Sequence, residues 1–117
     1  MIAVIFEVWP DGEDGRRDYL GLAAALRSDL TGMDGFISVE RFQSITDPDK
    51  MLSLSIWRDE EAVRNWRNHT GHRGVQAAGR NGVFRDYRLR VAAVMRDYGL
   101  TDRREQAPGD SRDQHAG

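Results

Sequence analysis

Apolar side chains recur at a spacing of two in some stretches of the chain and of three to four in others, and the changes of period divide it into elements. Residues 2–9, Ile-Ala-Val-Ile-Phe-Glu-Val-Trp, are dense in β-branched and aromatic types and run into the turn cluster Pro10-Asp11-Gly12, which predicts a largely buried first strand. From Gly15 the pattern changes to Tyr19, Leu22, Ala23, Leu26 and Leu30, one stripe with Arg16, Arg17, Asp18, Arg27 and Asp29 mostly off it. This predicts an amphipathic helix of about four turns, closed by the Gly32 to Gly35 region.

Residues 36–43 and 51–57 read as two more strands, and Thr46-Asp47-Pro48-Asp49 between them is a turn, so they are expected to pair as an antiparallel hairpin. In the second of these strands Leu52, Leu54 and Ile56 point one way, while Met51, Ser53, Ser55 and Trp57 point the other. Asp59 then offers a cap oxygen, and Glu60 and Glu61 put negative charge at the positive end of the helix dipole. A second helix carrying Ala62, Val63 and Trp66 is expected from there, weakened at Thr70-Gly71. Residues 83–95 predict a long last strand with Tyr87, Leu89, Val91 and Ala93 on one face and Arg88 and Arg90 on the other.

The order strand, helix, strand, strand, helix, strand is the split βαβ arrangement of a ferredoxin-like α+β domain: a four-stranded antiparallel sheet with both helices on one face. The face left open carries more apolar surface than so small a domain hides alone, so two sheets are expected to pair in a homodimer, a dimeric α/β barrel. Residues 1–98 are assigned to this domain and residues 99–117 to a polar tail, flexible or clasping a partner.

Composition narrows the function classes. The chain has 117 residues, room for one domain, and 17 basic against 19 acidic side chains give a net charge of −2. No broad positive field exists to hold nucleic acid. Cysteine is absent, which excludes disulfides, a thiolate nucleophile and zinc-thiolate or iron-sulfur sites. Hydrophobic runs are short and no charged leader precedes an apolar stretch, so neither a membrane span nor a signal peptide is expected and the cytoplasm is the expected compartment.

The densest group of chemistry-bearing side chains runs from Trp57 to Arg73 and includes Asn65, Trp66, Asn68, His69 and His72. Several recur at helical spacings of three and four and so form one face, a candidate pocket wall. An indole N–H donates one hydrogen bond from an apolar body, an imidazole titrates near neutrality and Asn both donates and accepts, a set suited to a flat, oxygen-bearing aromatic ligand. His69 and His72 have a spacing seen in metal sites, but no acid or third His follows at ligand spacing, so no metal is assigned. Which of the two faces inward stays open, because a break at Gly71 rotates one relative to the other. No nucleophile elbow, P-loop or dinucleotide fingerprint is present.

Gly35-Phe36 opening the second strand, the third strand running into Trp57-Arg58-Asp59-Glu60-Glu61-Ala62, and Trp66 followed by His72 together resemble the antibiotic biosynthesis monooxygenase domain family over roughly residues 2–97. The resemblance implies a small dimeric barrel and several chemistries. Some members oxygenate anthrone-like or dihydroxynaphthalene substrates without flavin, haem or metal; others open haem; many have no known activity. For the cofactor-free members it implies a small aromatic substrate that, once deprotonated, gives its electrons directly to O₂. On this resemblance Trp66 and Asn65 match the positioning role, His72 is the candidate base with His69 behind it, and Tyr87 or Arg88 completes the polar wall. Trp57 and Phe36 join His69, Tyr87 and Arg88 as candidate substrate contacts. The haem-degrading pattern implies an Asn on the first strand and an axial His about ten residues after the helix Trp. Residues 2–9 hold no Asn and the tenth position after Trp66 is Gln76, so haem is disfavoured and no cofactor is assigned. The alternatives are a haem-binding or haem-degrading oxygenase of the same family and a non-catalytic barrel that binds a small aromatic.

Overall fold

Strand and helix follow one another as the periodicities require: β1 (Ile2–Pro10), α1 (Gly12–Thr31), β2 (Phe36–Gln43), β3 (Met51–Trp57), α2 (Glu60–Arg67) and β4 (Phe84–Ala93). The structure is a computed structural model that describes residues 1–69, 74, 76, 77 and 82–110. The four strands form one antiparallel sheet in the order β2-β3-β1-β4, the ferredoxin-like α+β arrangement expected from the sequence.

Register fixes which side chains share a face. Ile2, Val4, Phe6 and Val8 of β1 stand opposite Trp57, Ser55, Ser53 and Met51 of β3, and opposite Ala93, Val91, Leu89 and Tyr87 of β4. This is the face the helices cover. Leu30 of α1 and Ala62 of α2 pack with Ile2 and Trp57 into one core, while Tyr19 packs with Val8 and Met51 into another. The opposite face carries Ile5, Leu54 and Ile56 together with Glu7, which holds ion pairs to Lys50 and Arg90, each at 3.3 Å. No helix among the described residues is long and apolar enough to cross a membrane.

Helix α1 begins at Gly12, three residues before Gly15, where the change of pattern places it, because its first turn is the polar Gly-Glu-Asp and carries no periodic signal. Helix α2 starts where the sequence places it: the Asp59 carboxylate accepts from the Ala62 backbone N–H at 2.9 Å.

Arg58 ties this start to the entrance of β2. Its guanidinium donates to both Asp34 carboxylate oxygens, at 3.2 and 3.1 Å, and through Nε to Asp59 at 2.9 Å, while its backbone N–H bonds the Gly35 carbonyl at 2.8 Å. The Arg58 hydrogen bond holds the Asp34 carboxyl below its ordinary value. Asp59 is lowered first by the Ala62 N–H and then by Arg58. Both groups titrate lower in the folded chain than in the unfolded one, so their stabilisation is complete above the ordinary value of 3.8 and is lost as the pH falls through the lowered values. The effect is modest because the pair is solvent-screened. The melting temperature is expected to fall on acidification below about pH 4, and to fall less steeply in Arg58→Met, as followed by circular dichroism. Equal slopes in the two proteins would contradict this role.

Candidate active-site cavity between the sheet and the helices

Small side chains at the centre of the covered face leave space beneath α1. Ser53 and Ser55 of β3 stand where larger residues would fill the core, and the helix crosses above them with Tyr19, Ala23, Leu26 and Leu30. The result is a cavity of about 370 Å³, large enough for a small multi-ring molecule. Val4 and Phe6 of β1, Val39 and Arg41 of β2, Phe84, Tyr87 and Leu89 of β4 and Trp66 of α2 complete its described walls, with Gln76 beyond them.

One end of the cavity is an aromatic nest. Phe6 lies 5.8 Å from Phe84 and 5.7 Å from Tyr87 between ring centroids, and Tyr19 meets Phe84 edge-on at 5.4 Å. At the other end the rings form a stack that leans on the core: Phe36 on Trp57 at 5.5 Å, Trp57 beside Trp66 at 6.3 Å, and His69 stacked on Trp66 at 5.4 Å. Trp57 itself is 1% exposed and donates its indole N–H to Ser55 Oγ at 2.9 Å. It supports the wall and does not line it.

Among the residues singled out by sequence, Trp66 and Tyr87 line the cavity. His69 stacks on Trp66 and is not among the described lining residues, and Trp57 and Phe36 pack in the core with Trp66. Asn65 is exposed, since a neighbour on a helix points about 100° away. Arg88 stands opposite Glu7 on the other face of the sheet. His72 lies outside the described residues. Gln76 occupies the lining position at which the haem-degrading pattern calls for an imidazole, and an amide is not the axial iron ligand of that pattern.

Sequence reasoning passed over Arg41, and the cause is local. Between Phe36 and Ser38 the pairing of β2 with β3 slips by one residue. A strict alternation from Phe36 places Arg41 on the far face, whereas the slip brings Val39 and Arg41 to the side of Phe36 and sends Phe42 outward, at 41% exposure. The shared face of Ser53 and Ser55, by contrast, was legible in the alternation of β3, and both residues line the cavity.

An antiparallel sheet with two helices on one face and an aromatic-walled cavity between them define a ferredoxin-like α+β domain. Residues 1–78 match the family model described as antibiotic biosynthesis monooxygenase, and the chain belongs to that family. It is 45% identical over 94 residues to the jasmonate monooxygenase ABM of Pyricularia oryzae, a match that covers 80% of this chain and 43% of that protein. The chain spans about half, or less, of the length of the curated relatives it matches. In fold it resembles Rv0793 from Mycobacterium tuberculosis, with a TM-score of 0.74 at 19% identity over 84% of this chain and 98% of that one. It also resembles SnoaB of Streptomyces nogalater, described as a cofactor-independent oxygenase, with a TM-score of 0.70 at 11% identity over 82% and 94%.

Proposed function

We propose that this chain is a monooxygenase that oxidises a small, reduced, quinol-like or polycyclic aromatic molecule with O₂ directly, with no cofactor of its own. The observation that carries the reading is the cavity, whose described walls are mostly aromatic and aliphatic, with Trp66 on one side and Tyr87 on the other. Membership of the monooxygenase family supports it, as do the names of the Pyricularia relative and of SnoaB.

The chemistry balances without a further reductant. An activated CH₂ of an anthrone-like substrate loses a proton and passes an electron to O₂, the two radicals join at carbon, and the peroxide loses water to leave a carbonyl. One oxygen atom stays in the product, the other leaves as water, and all the electrons come from the substrate. In this reading Trp66 and Tyr87 hold the substrate ring and its oxygen, with Asn65 on the adjoining surface of α2. His72 takes the proton, assigned from its place in the sequence, and His69 supports Trp66 from behind. Trp57 and Phe36 back the wall, while Arg88 stands on the far face of the sheet, away from the cavity. Two copies pair through the sheet face that carries Ile5, Leu54 and Ile56, which would close the barrel.

The test is O₂ uptake by the metal-stripped protein in EDTA over a panel of anthrones, dihydroxynaphthalenes and jasmonate. Uptake above the uncatalysed rate is expected, reduced by about a hundredfold in His72→Ala, the scale of a lost general base, and reduced also in Trp66→Phe. No uptake by folded protein across the panel would overturn the reading in favour of a binding barrel that turns nothing over.

A further inference from the structure

Among the described residues, the cavity holds a charge with nothing to answer it. Arg41 is the one ionised side chain among the described lining residues, and no Asp or Glu stands beside it in the walls. The ion pairs among the described residues engage other groups and leave Arg41 out. Its Nε–H is buried and finds no hydrogen-bond acceptor among the described residues. The guanidinium carbon lies 6.0 Å from the centroid of the Tyr19 ring, a contact at the outer limit of cation–π attraction. A guanidinium stays protonated at any pH the protein meets, so it cannot shed its charge to suit an apolar surrounding. A buried N–H without an acceptor is a cost that only a partner removes.

We propose that Arg41 receives a carboxylate of the substrate, so that the cavity takes an apolar, reduced ring system bearing one carboxylic acid. This deepens the proposed function and rests on the reading that this cavity is the reaction site. The geometry suits the group. A planar guanidinium presents parallel N–H donors that match the two oxygens of a carboxylate. Ser53 stands directly across the ladder from Arg41, adding a hydroxyl donor on the same face. The apolar body then extends beneath Leu26 and Leu30 toward Trp66, where the proposed oxygen chemistry takes place. A neutral analogue of the same shape can accept an N–H through its carbonyl oxygen but leaves the guanidinium charge unanswered, and it binds more weakly for that reason. Arg41 thus sets specificity and orientation, acting on substrate at the end of the cavity away from the reacting carbon.

The experiment is equilibrium binding of 2-naphthoate and of its neutral analogue 2-naphthamide, followed by tryptophan fluorescence under nitrogen. Turnover plays no part, so a failure of the oxygenase reading leaves this result intact, and the converse holds. The wild-type protein is expected to prefer the acid by about tenfold or more. Arg41→Met is expected to abolish the preference while binding the amide as well as the wild type does. Arg41→Gln, which keeps a polar head at the site, gives the same readout should the methionine variant fail to fold. Equal affinity of the wild-type protein for acid and amide overturns the proposal, as does a preference that survives in a folded variant or no binding of naphthoate at millimolar concentration.

Discussion

Replacing Trp57 by alanine is expected to destabilise the fold by about 3–5 kcal/mol, the usual range for emptying an aromatic core position. Trp57 is 1% exposed and sits at the end of β3 with Ile2 on one neighbouring strand and Phe36 on the other. Its ring meets Phe36 edge-on and leans against Trp66, so the vacated space opens at the junction of β1, β2, β3 and α2, where no single flexible neighbour can fill it. The loss also strips Ser55 Oγ of the indole donor it accepts at 2.9 Å. Urea denaturation measures the change as a shift in midpoint at unchanged slope. Trp57→Phe keeps most of the volume and is expected to retain most of the stability. A cost under about 1 kcal/mol for the alanine variant, the scale of an ordinary surface change, would show that this aromatic stack is not the core of the domain.

Gly35→Ala is expected to have an effect of similar size for a different reason. Gly35 has φ +84°, in the left-handed region, and a Cβ built there would lie 2.6 Å from the Ala62 Cβ and 3.3 Å from the Arg58 guanidinium. The backbone conformation alone costs an alanine about 1–2 kcal/mol, and the collision with α2 adds about 1–3 kcal/mol because one of the two elements must move. Gly12 separates the two terms, since it has φ +69° with nothing within 4 Å of its Cβ position. Gly12→Ala should therefore show the conformational cost only, and Gly35→Ala clearly more in the same denaturation series. Equal costs would mean that α2 does not press against the β2 entrance as closely as the structure has it. The close approach also bears on the site, because α2 carries Trp66 into the cavity wall.

Both positions lie in segments through which the chain resembles its family. Gly35-Phe36 opens β2, and Trp57 through Ala62 leads from β3 into α2. Their physical work is now visible: Gly35 lets the helix come close, Arg58 clamps it with Asp34 and Asp59, and Trp57 fills the space beneath.

The architecture was legible in the sequence because each element buries one face, and burial imposes a period that survives in the residue order. The alternation in β3 and β4 told the correct faces, and the Asp59 cap marked the correct start of α2. The start of α1 was obscured because its first turn is polar and solvated. The cavity was less legible than the fold, since it depends on where faces meet. Arg41 was hidden by a one-residue slip in β2 that no residue type announces. Asn65 and Trp66 are neighbours in sequence, yet the helix turns them apart, so one is exposed while the other lines the wall.

The central claim, that this cavity carries out cofactor-free oxygenation, is tested most directly by isotope labelling. Metal-stripped protein is given an oxidisable substrate from the anthrone and dihydroxynaphthalene panel under ¹⁸O₂, and the product is analysed by mass spectrometry before its carbonyl exchanges with water. The expected result is one labelled atom per product molecule, with the reaction slowed in Trp66→Phe and absent under nitrogen. Product whose new oxygen comes from water, or product that forms only when haem, flavin or a metal is restored, would contradict the claim.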